Sequence, residues 1–288
     1  MAAEPFRRKV SGVRLPHMTN DQDELILGDE SPDWLNMEDF AQGIDTNRVP
    51  RTDALTGRTV TVDLSGGGSL TVDFDETTVT WTVSGVDWAG GGTDAYEAVP
   101  VGVGAFWVDF SIAERQVETI TLVFSPPIGW GLVVHSVIQP EDFASETRVT
   151  QTFHPGRVVG APTGGPLPAP TRDLIGKRTL FRYSSRHLYE HIYLSSRRFV
   201  WHNLIGEQRG HAAAELTTTY KLEEGMYLFT WREEKIPVGT VFVFDYARGR
   251  STGKFIGLTG DGVVANSPGG AEILEFGYSD YADFADPV

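Results

Sequence analysis

Along most of this chain hydrophobic and polar residues alternate in runs of four to eight, separated by short turns in a chain rich in glycine. Between residues 174 and 275 the runs fall at about 178–184, 188–195, 198–204, 215–222, 226–233, 239–246 and 253–259, with a last one near 271–276. Successive side chains of a strand point to opposite faces, so a period of two predicts strands, and the short turns predict hairpins. No helical crossover separates the runs, which makes the sheet antiparallel. Eight such strands in a meander close best as a barrel, whose interior either fills with side chains or holds one small ligand. A two-sheet sandwich is the alternative architecture.

The pattern occurs twice. Leu55-Thr-Gly-Arg-Thr-Val is answered by Leu174-Ile-Gly-Lys-Arg-Thr, with Gly57 and Gly176 119 residues apart. Val79-Thr-Trp81 is answered by Phe199-Val-Trp201 at a spacing of 120, and the runs starting at Gly104 and Gly225 stand 121 apart. A near-constant offset across three landmarks reads as an internal duplication. The chain therefore divides into an N-terminal extension (1–50), a first barrel (51–142), a proline- and glycine-rich linker (143–172) and a second barrel (173–288). Within the extension, Ser31 as N-cap and Pro32 at the first helical position predict a short helix to Ala41. Its Trp34, Met37 and Phe40 would lie on a barrel. The Trp88-Ala-Gly-Gly-Gly-Thr-Asp-Ala-Tyr96 segment has no following helix signal or lysine, so it is expected as a flexible loop at a barrel mouth and not as a phosphate loop.

Composition narrows the function. A formal charge of −15 and a pI near 4.8 repel phosphates, which argues against nucleic acid and anionic membrane as partners. There is no cysteine, so thiolate metal sites and a cysteine nucleophile are out, and a cytoplasmic setting is the simplest fit. No signal core and no apolar run of membrane-spanning length is present.

Sorting the second copy by parity exposes its candidate chemistry. Phe181 and Tyr183 share a face with Thr179. Tyr189, His191 and Tyr193 share another, and Tyr227, Phe229, Trp231 and Glu233 a third. Such faces are too polar for a sealed core and too aromatic for solvent, and they suit a cavity for a small organic molecule. The other reading is a tyrosine-rich edge pairing with a second copy, a homodimer. A carboxyl on an aromatic face would carry a raised pKa, which makes Glu233 the acid/base candidate. Arg209 could clamp a substrate carboxylate. Trp201 and His211 complete the expected lining. No metal site is expected, because His187 and His191 on one strand would stand roughly 13 Å apart, and His202 alternates opposite Trp201. The corresponding first-copy runs, Thr59–Leu64 and Ser69–Phe74, hold neither His nor Tyr, so that copy reads as structural.

Two resemblances bear on this. Trp201-His-Asn-Leu-Ile-Gly-Glu-Gln-Arg-Gly-His211 and Thr219-Tyr-Lys-Leu-Glu-Glu-Gly-Met-Tyr-Leu-Phe-Thr-Trp-Arg-Glu233 resemble the MoaF family, which has paired N- and C-terminal domains and a molybdenum-cofactor-biosynthesis label. More distantly, Ile175-Gly-Lys, the strand reaching Tyr183 and Tyr189, and the Lys221–Glu233 run are similar to phenolic acid decarboxylases. That resemblance implies a lipocalin- or calycin-like barrel working without a cofactor. It matches Tyr183, Tyr189, Arg209 (or His211) and Glu233 to functional positions, with Phe181 standing where that family has a tyrosine. The expected function is binding of a small aromatic or unsaturated metabolite, with cofactor-free lyase or isomerase chemistry. A non-catalytic carrier or sensor is the alternative.

Overall fold

The structure, a computed structural model, describes residues 35–281. The expected helix start at Ser31, Pro32 and Trp34 lies outside these residues. Its last turn is present as α1 (Met37–Phe40), with Met37 and Phe40 buried.

Everything else is strand and turn. The first set comprises β1 (Thr59–Leu64), β2 (Ser69–Phe74), β3 (Thr78–Ser84), β4 (Gly90–Val101), β5 (Ala105–Ser111), β6 (Glu118–Ser125), β7 (Trp130–Ile138) and β8 (Val149–Val158). These eight form a closed antiparallel barrel in sequence order, β8 pairing back onto β1 through Val62↔Val158 to Leu64↔Gly156. After a two-residue edge strand, β9 (Ala169–Pro170), come β10 (Lys177–Ser184), β11 (His187–Tyr193), β12 (Arg198–Ile205), β13 (Ala212–Glu223), β14 (Met226–Arg232), β15 (Val238–Asp245), β16 (Arg250–Leu258) and β17 (Val264–Tyr278). β10 to β17 close a second antiparallel barrel, the seam being the β12–β13 pairing, and β9 adds to β13. The chain is all-β with two tandem barrels, as the alternation implied.

Two boundaries differ from the sequence expectation. The linker stretch 143–172 contains β8, without which the first barrel would stay open. Its Pro155 and Gly156 look like breakers, yet Gly156 is required, since a Cβ there would stand 2.3 Å from the Asp63 carbonyl. The glycines of the Trp88 segment are likewise not a flexible loop but the start of β4. Gly91 and Gly92 lie against Trp81, where a side chain on Gly91 would meet the Trp81 carbonyl at 2.9 Å.

The duplication holds residue by residue. Gly57 and Gly176 both have positive φ, 74° and 85°, and each amide donates to the last residue of the second strand of its barrel, Phe74 or Tyr193. Trp81 and Trp201 occupy the third strands. Gly104 and Gly225 turn into the fifth with φ of 71° and 72°.

The barrels stand side by side, outer wall to outer wall. β6, β7 and β15 are therefore buried on both faces, which is why they read as continuous apolar runs. Val99, Trp107, Trp130 and Leu132 of the first barrel cluster with Met226, Leu228, Val241 and Val243 of the second. Beside this apolar patch the Lys254 ammonium, 1% exposed, reaches Asp109 Oδ1 at 2.5 Å and donates to Thr119 Oγ1 at 2.6 Å. Asn266 donates to the other Asp109 oxygen at 2.8 Å. Among the described residues, no helix is long and apolar enough to cross a membrane.

Candidate functional site

The inward faces of the second barrel are aromatic from end to end. Phe181, Phe199, Phe229 and Phe244 fill its middle, with ring centroids 4.7 to 5.0 Å apart where they meet. His191 sits among them, 4.3 Å from Phe181 and 5.0 Å from Phe199. Its Nδ1 has no hydrogen-bond partner, and burial drives its pKa down to about 3. It is a neutral imidazole used as an aromatic ring. Between pH 6.5 and about 3 the unfolded chain binds a proton here that the folded chain refuses. Stability from this group is therefore complete above pH 6.5 and falls by about 1.4 kcal/mol per pH unit on acidification. His191→Phe is expected to flatten that slope in urea denaturation series run between about pH 4 and pH 7.

Toward the end carrying the β10–β11, β12–β13, β14–β15 and β16–β17 turns, the lining becomes polar. Tyr183 and Tyr189 meet edge to face at 5.8 Å. Burial raises both hydroxyl pKa values, that of Tyr189 to about 12, so both are neutral donors. Tyr189 donates to Gln208 Oε1 at 3.3 Å. Beside them Glu233 follows directly after β14. Trp231 Nε1 donates to its Oε1 at 2.9 Å, and the Trp201 indole approaches the same carboxyl. Glu215 of β13, 1% exposed, is its hydrogen-bonding neighbour and accepts the Glu234 amide at 2.9 Å.

These two buried carboxyls are hydrogen-bonded neighbours. Burial raises the pKa of both, but Glu215 is held back by the Glu234 amide and by Arg198, whereas Glu233 is pushed further up by the Glu215 charge. The surroundings therefore favour a proton on Glu233 over one on Glu215. The first barrel has a related arrangement. Asp94 stands 121 residues before Glu215 and does the same work, accepting the Ala113 amide at 2.9 Å and the Trp81 indole at 2.8 Å. The counterpart of Glu233 is Ile112. The second barrel thus has an acid, Glu233, beside a carboxylate and indole that both barrels carry.

The remaining expected residues divide. Phe181, Tyr183, Tyr189, His191, Tyr193, Trp201, Phe229 and Trp231 all line the interior. Tyr193 and Tyr227 lie at the opposite end, Tyr193 3.5 Å from the Tyr246 hydroxyl and Tyr227 donating to Asp173 at 3.2 Å. Arg209 is exposed on the β12–β13 turn, and His211 ends that turn half-buried. Sequence reasoning missed Glu215, whose signal was its offset of 121 from Asp94, and Gln208, the inward residue of the turn. His202 faces outward to Glu190 at 3.6 Å. Among the described residues no three His, Asp or Glu groups gather as a metal set.

The segment 35–47 crosses this end of the second barrel. Phe40 packs on Phe255 with centroids 5.6 Å apart, Glu38 accepts the Gly260 amide at 2.9 Å, and the Asn47 amide donates to the Tyr183 carbonyl at 2.9 Å. The same end of the first barrel, the copy that reads as structural from its sequence, is also polar. Trp88 stacks on His135 at 4.4 Å and donates to His154 at 3.2 Å, while His135 and Arg115 both bind Glu118. That network is plugged by its own members.

The MoaF N-terminal domain family matches residues 32–140 and the MoaF C-terminal domain family residues 168–277. Protein MoaF of Klebsiella aerogenes is 31% identical over 208 residues, covering 68% of this chain and 76% of the relative. The chain belongs to the MoaF family. The N-terminal MoaF match takes in α1 and stops before β8, and the C-terminal match begins at β9. A solved Burkholderia vietnamiensis protein, described as a proposed β-lactamase, aligns with a TM-score of 0.31 and 16% identity over 36% of this chain and 95% of its own. So loose a likeness carries no argument about MoaF chemistry.

Proposed function

We propose that the second barrel binds a small aromatic or unsaturated metabolite at its capped end and acts on it by cofactor-free acid/base chemistry. The supporting observation is the buried Glu233–Glu215 carboxyl pair, set against two indoles and two tyrosines, at a position where the first barrel has Ile112. An acid kept protonated near neutrality can give a proton to one substrate atom, and the carboxylate it leaves can take one from another. The sum of those two transfers is an isomerisation, or a lyase step when a bond breaks between them. Tyr183 and Tyr189 would orient the polar end of the substrate. The described groups at the Glu233 end include no inward-facing lysine or arginine, so a neutral substrate suits it better than a carboxylate. This departs from the decarboxylase resemblance, in which Arg209 would hold a charged group. A cytoplasmic setting remains part of this proposal.

A carrier using the same lining for affinity alone is the second reading, favoured by Arg209 pointing away. Tryptophan-fluorescence titration with small neutral phenols and enones tests both readings, since Trp201 and Trp231 would report occupancy. Saturable binding together with substrate exchange or isomerisation supports the enzyme. Saturable binding without any turnover supports the carrier. No binding by any of them removes both.

A further inference from the structure

Between the barrels lies a cleft of about 430 Å³ that the proposed chemistry does not use. Its walls are apolar where Val101 of β4 faces Val243 of β15, and three arginines converge on it: Arg48 before the first barrel, Arg248 in the β15–β16 turn and Arg250 of β16. Only one carboxylate, Asp245, shares the lining. Two further carboxylates, Glu97 and Glu272, stand behind the lining beside Arg48 and Arg250.

The cations are not used up by their neighbours. The Arg48 side chain is only 10% exposed; its Nη1 binds Glu97, while its Nε and Nη2 are buried without a partner. Arg248 spends Nη1 on Asp245 Oδ2 at 3.3 Å. Arg250 makes long contacts, 3.4 Å to the Asn47 carbonyl and 3.8 Å to Glu272. The Thr252 hydroxyl, in a residue 1% exposed, also lacks a partner. Buried donors left unmade are costly in native folds, and Arg48 and Thr252 bring three such atoms to the lining of one cleft. Oxyanions supply several acceptor atoms at once and match the guanidinium fork.

We propose that the inter-barrel cleft binds a small organic anion, its oxyanion head on Arg48, Arg248 and Arg250 and its apolar body between Val101 and Val243. Because the arginines come from both sides of the junction, such a ligand fastens one barrel to the other. Calorimetric titration of the full chain with inorganic phosphate and with hexanoate, at fixed ionic strength, separates a phosphate head from a carboxylate head. Hexylammonium serves as the control of opposite charge. At least one anion is expected to saturate at one site per chain, with hexylammonium silent. The Arg248→Gln/Arg250→Gln double variant, altered at half-exposed positions, is expected to bind about tenfold more weakly or worse. Arg58→Gln, exposed on the first barrel, is expected to bind unchanged. The proposal fails if neither anion saturates by about 10 mM, if hexylammonium binds equally well, or if the double variant binds like the parent.

Discussion

Asp109→Ala is expected to cost about 3–5 kcal/mol of stability, the usual penalty for removing one partner of a buried ion pair. Lys254 has its ammonium enclosed at the junction of the barrels, and burial pulls its pKa down against the opposing pull of Asp109. Without Asp109 the ammonium keeps only the Thr119 hydroxyl, and Asn266 loses its best acceptor. The cost should appear as a lower urea midpoint. Because the pair spans the junction, it should also appear as a tendency of the two barrels to melt separately. Asp109→Leu combined with Lys254→Met is the informative partner experiment: replacing both charges with apolar groups should recover most of the loss. A single substitution costing under about 1 kcal/mol would mean that Lys254 has another counter-charge.

Glu233→Gln is expected to leave ligand binding intact and lower turnover by about 10²–10⁴, the typical contribution of a positioned acid or base. The same variant has a signature independent of any substrate. Glu233 is protonated in the folded chain well above 4.5, the ordinary value it has when unfolded. Its contribution to stability is complete below pH 4.5 and is lost as pH rises toward the folded pKa, by about 1.4 kcal/mol per pH unit. Glutamine keeps the donor and cannot ionise, so the alkaline slope should vanish. Glu215→Gln should shrink that slope, because the charge that holds the Glu233 proton is gone. His191 imposes the opposite slope between about pH 3 and pH 6.5, so from pH 4.5 to 6.5 the two oppose each other and the parent is most stable in that overlap. A parent whose stability rises from about pH 5 to pH 6.5 and then stays level to pH 8 would show that Glu233 is already ionised.

Much of this was readable from alternation. All eight strands of the second barrel fall where period two places them, because each has one face on an aromatic interior. The parity that grouped Tyr227, Phe229, Trp231 and Glu233 is the parity that lines the barrel. What escaped has specific causes. β8 was hidden by Pro155 and Gly156, since the close approach to Asp63 that demands a glycine is a long-range contact. The glycines of β4 resembled a loop because the Trp81 indole occupying their missing side-chain space lies on a neighbouring strand. Glu215 follows a run of three alanines in a strand with half-exposed neighbours, and only its correspondence with Asp94 marks it. Arg209 differs from the inward residue Gln208 by one position, the margin that a turn of irregular backbone leaves undetermined.

The order of the pieces along the chain has a consequence for how the molecule can be divided. The cap of the second barrel is residues 35–47, and the whole first barrel lies between that cap and the strands it covers. A cut between the barrels would therefore carry away the lid of the second with the first, exposing Phe255 and the polar end around Glu233.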